Sequence, residues 1–249
     1  MMRESISVVI PVYNGANSLP ELYQLLSKTL QEMTDDFEII MVDDFSSDKS
    51  YEGIISLHEK DKRVKGIRLA ENFGQQNALL CGFNYVKGDY IVTLDDDLQH
   101  RPEDIILLYN KIKKGYDIVY GIPEKREYSF MRKMGSRLTN FLFGIITAKK
   151  PKIRVSSFRI LRRELLEQVL EHDPEIAFVY ISAIVFKYTD RIGNIIVQHN
   201  NRKYGRSNYN FRKLLLLFLK LYIYYGGSPI LKGFRSKKPQ YIIEKKIGI

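Results

Sequence analysis

An α/β fold, with a Rossmann-like and mostly parallel sheet flanked by helices, is what this 249-residue sequence predicts. Three observations lead there. Short apolar, β-branched runs alternate with amphipathic helical patterns at βαβ spacing. Each early run stops at a loop rich in Asp, Asn, Ser or Gly. Finally, 45% of the residues are hydrophobic, enough to cover a sheet on both faces.

Residues 6–10 read as the first strand, ended by Pro11-Val12-Tyr13-Asn14-Gly15, where Pro and Asn-Gly mark a loop. Ser18 stands as the cap of a helix with Pro20 and Glu21 in its first turn and Leu22, Leu25, Leu26 and Leu30 at helical spacing. Residues 37–42 form a second strand that runs into Asp43-Asp44-Phe45-Ser46-Ser47-Asp48. Ser46 or Ser47 is then the expected cap of a helix reaching about His58. A third strand, residues 64–69, ends in Glu71-Asn72-Phe73-Gly74-Gln75-Gln76-Asn77, and a helix over 76–86 leads to a strand at 90–94. Asp95-Asp96-Asp97-Leu98-Gln99 follows directly. Pro102 opens the next helix, and 117–121 is a further strand. Later come a helix over 164–171, the apolar run 181–186 and a strand over 192–197.

The organisation predicted is a main domain over 1–210, with halves at 1–120 and 121–210, then an amphipathic helix and basic tail over 211–249. Charge divides at the same place. Residues 1–120 carry 13 Lys and Arg against 20 Asp and Glu, whereas residues 121–249 carry 26 against 9, for a net +10. Such asymmetry points the second half at something anionic. Nucleic acid is not the expected partner, because the acidic half opposes it and no aromatic-and-basic motif supports it. The single cysteine, Cys81, excludes an internal disulfide and Cys-based zinc clusters. No secretory signal pattern opens the sequence, so a cytoplasmic location is expected. The longest apolar stretch, 214–225, is interrupted by Lys220 and falls short of a bilayer span.

The Asp triplet is the centre of the chemistry. Ligands of open α/β sheets bind beyond the carboxyl ends of strands, and adjacent carboxylates repel unless a cation sits among them. Hard oxygen donors suit Mg²⁺ or Mn²⁺. An ordinary solvated acidic turn is the alternative for the triplet taken alone. His199 has no second His at ligand spacing and is read as structural.

Four stretches carry a resemblance: Val9-Ile10-Pro11-Val12-Tyr13-Asn14, Val42-Asp43-Asp44-Phe45-Ser46-Ser47-Asp48, Asn72-Phe73-Gly74-Gln75-Gln76-Asn77-Ala78 and Leu94-Asp95-Asp96-Asp97-Leu98-Gln99-His100-Arg101-Pro102-Glu103. In order and separation they resemble the family 2 glycosyltransferases of the A-type fold, in the branch of dolichyl-phosphate mannose synthases and bacterial polyprenyl-phosphate glycosyltransferases. The second half matches more loosely, through Arg126, Arg132, Ser157-Phe158-Arg159 and the His199, Arg202, Gly205, Ser207, Tyr209 series.

The resemblance implies a metal-dependent, inverting transfer from a UDP- or GDP-linked sugar to a polyprenyl phosphate or lipid-linked glycan, in cell-envelope polysaccharide or glycoconjugate synthesis. Asp95 and Asp97 would form the DxD pair, with Asp97 and Gln99 on the metal and Asp95 near the ribose or metal. Asp43 and Asp44 would face base and ribose, and Pro11, Tyr13 and Asn14 the other wall, with Asn72, Gln75 and Asp96 completing the donor pocket. Asp97 and Arg202 are the catalytic candidates, and Arg126, Arg132, Ser136, Arg202 and Ser207 the acceptor or phosphate contacts, since an arginine fork suits phosphate oxygens. The sequence departs from several relatives in lacking an acid before Phe158-Arg159. It has Arg154-Val155-Ser156-Ser157 instead. A hydroxyl acceptor would need a base, for which Asp173 and Glu175 are candidates, whereas a lipid phosphate would not. The second reading is a non-catalytic nucleotide-sugar-binding protein that serves as partner or scaffold. Residues 211–225, with Arg212, Lys213 and Lys220, and the basic residues after them predict peripheral attachment to an anionic membrane surface. Homo-oligomer formation stays open.

Overall fold

The structure, a computed structural model, describes residues 4–124, 153–171, 177–200, 211–225 and 238–249. Its strands are β1 (Ile6–Val12), β2 (Phe37–Asp43), β3 (Val64–Leu69), β4 (Tyr90–Thr93), β5 (Ile118–Pro123), β6 (Arg159–Arg162), β7 (Ile192–Val197) and β8 (Ile243–Ile247). The helices are α1 (Leu19–Met33), α2 (Ser50–Lys60), α3 (Gln75–Phe83), α4 (Ile105–Ile112), α5 (Arg163–Leu170), α6 (Ile181–Tyr188) and α7 (Phe211–Tyr225). A 3₁₀ turn at Pro102–Asp104 precedes α4.

The strands form one sheet in the order β7-β5-β6-β4-β1-β2-β3-β8. β4, β1, β2 and β3 are mutually parallel, so their carboxyl ends share one edge. Parallel neighbours need crossovers, and α1, α2 and α3 supply them. Past β4 the sheet is mixed: β6 lies antiparallel between β4 and β5, and β7 runs parallel to β5. Every residue of β1 and β2 is buried, which explains their unbroken apolar runs. Val9, Ile40, Val42 and Ile91 face the layer of α3, α5 and α6, while Val8, Ile10, Ile39 and Val92 face α1, α2 and α4. Gly82 lets α3 lie close on the sheet, since a Cβ there would come within 2.4 Å of Val9 Cγ1.

Three local expectations are corrected. First, α2 starts at Ser50 under Lys49, not under Ser46 or Ser47, because those two hydroxyls engage Asn14 instead. Asp48 Oδ1 takes the Ser50 N–H at 3.0 Å in their place. Second, α3 ends at Phe83, three residues early. Third, β6 and β8 are strands that the pattern hides. β6 is only four residues with Arg at both ends, and β8 reads Ile-Glu-Lys-Lys-Ile, the composition of a solvated tail.

α7 docks on the domain through buried Leu221, Tyr224 and Tyr225, and the Tyr225 hydroxyl accepts the Tyr180 N–H at 3.0 Å. Leu216, Leu219 and Tyr222 remain exposed. Among the described residues no helix is long and apolar enough to cross a membrane.

Candidate active site

The loops leaving β1 and β2 are stitched together. Asn14 adopts a positive φ of 54°, which an Asn tolerates better than most residues. Its N–H donates to Ser46 Oγ at 2.9 Å, and its Oδ1 accepts the Ser47 N–H at 2.9 Å. Gly15 N–H reaches Ser50 Oγ and Ala16 N–H reaches Asp48 Oδ2. Pro11 is buried within β1, whereas Tyr13 and Asn14 are exposed at its end.

The loop after β4 joins the same rim. Tyr13 N–H donates to Asp96 Oδ2 at 3.1 Å, and the backbone of Gly15 leaves no room there for a side chain, since a Cβ would sit 2.4 Å from that oxygen. Burial, aided by the charges of Asp95 and Asp97, pushes the Asp96 carboxyl up to about 7. Asp95 is held from two sides: Gln75 Nε2 donates to Oδ1 and Ser157 Oγ to Oδ2, at 2.5 and 2.7 Å. Asp97 Oδ1 accepts the Gln99 N–H at 3.1 Å. Between them Leu98 takes φ 59° and buries its side chain, leaving Asp97 and Gln99 partly exposed on either side. The Gln99 carbonyl accepts Asn200 N–H, which ties this turn to the segment after β7.

Asp43 and Asp44 differ sharply. Asp44 directs Oδ1 to Phe73 N–H and Oδ2 to Gly74 N–H, at 2.7 and 2.9 Å. It thereby anchors the turn into α3, where Gly74 adopts φ 87°. Both of its oxygens are thus engaged by backbone, a helix-entry role of the kind a capping carboxylate plays. Asn72 Nδ2 adds a bond to the Asp44 carbonyl. Asp43 is fully buried; its Oδ1 accepts Ser46 N–H at 3.3 Å and its Oδ2 faces Arg68 Nη1 at 3.4 Å. Burial pushes both carboxyls up, opposed at Asp43 by Ser46 and Arg68 and at Asp44 by the two backbone donors.

The Phe-Arg pair after Ser157 is internal. Phe158 stacks on His100 with ring centroids 5.0 Å apart, and His199 packs edge-on to the same His100 ring. Burial and His199 draw the His100 imidazole down to about 4. Arg159 is fully buried and donates through Nη1 to Ser182 Oγ at 3.3 Å. Burial likewise raises the Cys81 thiol to about 12, an inert core position.

Tyr13, Asn14, Asp43, Asp44, Asn72, Gln75, Asp95, Asp96, Asp97 and Gln99 thus meet at the carboxyl edge of β1, β2, β3 and β4. Arg126, Arg132, Ser136, Asp173, Glu175, Arg202 and Ser207 lie outside the described residues. Sequence reasoning passed over Ser157 and Arg68 as site residues. Ser157 enters the sequence reading through the Ser157-Phe158-Arg159 match and as the place of a missing acid, and Arg68 sits inside an ordinary strand pattern.

Residues 7–170 match the glycosyl transferase family 2 model. Undecaprenyl-phosphate 4-deoxy-4-formamido-L-arabinose transferase of Yersinia enterocolitica is 36% identical over 228 residues, covering 91% of this chain and 69% of that protein. The protein of the same name from Salmonella choleraesuis is 35% identical over the same span. Glucosyl-3-phosphoglycerate synthase from Mycobacterium tuberculosis shares the fold. Its crystal structure with Mn²⁺, UDP-glucose and phosphoglyceric acid superposes with TM-score 0.65 at 15% identity, covering 88% of this chain and 78% of that one. Another structure of that enzyme gives TM-score 0.67 at 17% identity, with 95% and 88% coverage. The chain belongs to glycosyl transferase family 2: it is a glycosyltransferase of the A-type fold whose relatives lie in the polyprenyl-phosphate branch.

Proposed function

We propose that this glycosyltransferase moves a sugar from a nucleotide-sugar donor to a polyprenyl-phosphate acceptor, inverts the anomeric centre, and works with Mg²⁺ or Mn²⁺. The observation that carries the reading is the convergence of Asp95, Asp96 and Asp97 with the β1 and β2 loops on one rim, in a chain whose relatives are named for polyprenyl-phosphate transfer.

The donor set fits a hard cation. Asp95, Asp97 and the Gln99 amide would hold the ion, with donor phosphates completing the shell, as Mg²⁺ sites commonly combine one or two carboxylates with substrate phosphate. Among the described residues no three His, Cys, Asp or Glu side chains form a ready-made cage. That suits an ion that arrives with its diphosphate. The upward push on Asp96 comes first from burial and then from the charges of Asp95 and Asp97, and a cation would relieve the like-charge part. When bound, such an ion stabilises the negative charge growing on the departing diphosphate.

The chain's own residues prepare the rest. Gln75 and Ser157 fix the orientation of Asp95, and the Tyr13 N–H fixes Asp96. Asp43 and the exposed Tyr13 flank the space for base and ribose. An anionic oxygen of the acceptor phosphate attacks the anomeric carbon from the side opposite the diphosphate. The new C–O bond forms as the old one breaks, and the nucleoside diphosphate leaves with the electron pair. A phosphate is anionic near neutral pH, so no general base is required, in keeping with a serine at position 157. Arg126, Arg132, Ser136, Arg202 and Ser207 are proposed to grip acceptor or donor phosphate, with Arg202 in a catalytic role as well. The exposed Leu216, Leu219 and Tyr222 of the docked α7, with Lys220 beside them, would rest on the anionic membrane that carries the lipid.

The test is transfer itself. Wild-type protein with undecaprenyl phosphate, Mn²⁺ and a panel of UDP- and GDP-sugars should yield a lipid-linked sugar and free nucleoside diphosphate, with roughly a hundredfold loss or more in Asp97→Ala. Folded wild type that binds a donor yet neither transfers nor hydrolyses it would leave only the binding-protein reading.

A further inference from the structure

The last strand of the sheet touches the donor side of the rim at one point. β8 pairs antiparallel with β3, setting Gly66 opposite Ile247, Ile67 opposite Lys246 and Arg68 opposite Lys245. The register then shifts, so that Leu69 lies opposite Ile243 and Glu244 is left over. Pairing continues past the shift, where Ala70 N–H donates to the Ile242 carbonyl at 2.8 Å. Glu244 is therefore the extra residue of a β-bulge, a device that re-aims a side chain beside functional sites.

What it is aimed at is Arg68. Glu244 Oε2 accepts the Arg68 Nε–H at 3.1 Å. The same guanidinium places Nη1 3.4 Å from Asp43 Oδ2 and Nη2 3.4 Å from the Ser46 carbonyl. It also lies 5.7 Å from the ring centroids of Phe45 and of Tyr51. Arg68 thus has a fixed place: Nε and Nη2 each donate a hydrogen bond, and Nη1 lies at ion-pair distance from Asp43. Asp43 Oδ2 is buried and, among the described residues, accepts no hydrogen bond, so Arg68 supplies its compensating charge. Phe45 is 45% exposed, held at φ 59°, and forms an open aromatic wall beside this pair.

We propose that the C-terminal strand is part of the donor site: Glu244 is a positioning residue that holds Arg68 over the buried Asp43, and the partly exposed guanidinium of Arg68 reads a carbonyl of the donor's base. A guanidinium N–H donor complements a carbonyl oxygen and opposes an amino group at the same place on the ring. Uracil and guanine carry a carbonyl where cytosine and adenine carry an amino group. The base would enter beside Phe45, which offers its ring face. This inference rests on the nucleotide-sugar reading above and adds the element that recognises the base.

Calorimetric titration of the full chain separates the two. UDP, GDP, ADP and CDP are the probes, each with Mn²⁺, and Mn²⁺ pyrophosphate is the probe without a base. Wild type should favour UDP or GDP over ADP and CDP. Glu244→Gln should weaken that favoured nucleotide roughly three- to tenfold, the loss of one net hydrogen bond. Binding of Mn²⁺ pyrophosphate should be unchanged, and the melting temperature should hold, since the pair is partly exposed. Arg68→Gln should lose more, because it also strips Asp43 of its counter-charge. Equal affinity of wild type for all four nucleotides, unchanged nucleotide binding in both variants, or equal weakening of nucleotide and pyrophosphate would each overturn the proposal. Wild type that binds neither nucleotide nor pyrophosphate would instead bring down the donor reading itself.

Discussion

Ser157 Oγ donates to Asp95 Oδ2 at 2.7 Å, across 62 residues of sequence. The serine sits just before β6, and its carbonyl also accepts the Thr93 hydroxyl, so β4 and β6 hold both partners in register. A neutral donor there orients Asp95 without adding a further negative charge to the triplet. Ser157→Ala should remove about 1 kcal/mol of that orientation. The expected result is roughly a fivefold fall in kcat/KM for the donor with the fold intact, measured by steady-state kinetics beside a circular dichroism melt.

The raised Asp96 carboxyl makes a pH prediction. Its folded value of about 7 lies above the ordinary 3.8, so between those limits the folded protein holds a proton that the unfolded chain has released. Stability from this group is full below about pH 4 and is lost as pH rises through about 7, by at most about 4 kcal/mol. Without divalent ions, the wild-type melting temperature should therefore fall from pH 5 to pH 8 relative to Asp96→Asn, in which the slope disappears. Adding Mn²⁺ should flatten the wild-type slope.

Asp44 is the anchor of the α3 entry, with a backbone N–H on each carboxylate oxygen. Asp44→Ala orphans both donors and should cost about 2–3 kcal/mol, seen as a lower urea midpoint at unchanged m. Asp44→Asn keeps one acceptor and should lose about half as much. Because Gln75 begins α3 and holds Asp95, both variants should also weaken donor binding.

The exposed face of α7 predicts lipid binding that does not involve the docked face. Leu216→Glu with Leu219→Glu should abolish co-flotation with anionic vesicles and leave the melting temperature within a few degrees, since surface changes are usually within about 0.5 kcal/mol each. Flotation equal to wild type would refute the membrane contact.

Much of this was legible beforehand where one physical signal dominated. β3, β7 and α7 occupy the expected residues, and β1 and β2 run on by two residues or fewer, because continuous apolar runs or helical spacing defined them. The acidic rim followed from strands that end in carboxylates and run in parallel. What stayed hidden was set by tertiary contact. Ser46 and Ser47 fit a capping pattern, yet Asn14, 32 and 33 residues away, engages both. Asp43 and Asp44 are adjacent and alike on paper, and only the α3 turn distinguishes them. β8 carries three charges in five residues, and nothing in its own pattern announces a strand until β3 is beside it.

The pairing of β8 with β3 also has a bearing on biosynthesis. Synthesis runs from the amino terminus, so a nascent chain that has exposed β1 to β4 still presents β3 as a bare edge, with the Asp43 side of the rim unsupported. Only once residues 243–247 clear the ribosome is that margin covered. A chain stalled before residues 243–247 emerge should therefore be prone to edge-to-edge association, and competence to bind donor should follow the emergence of that strand.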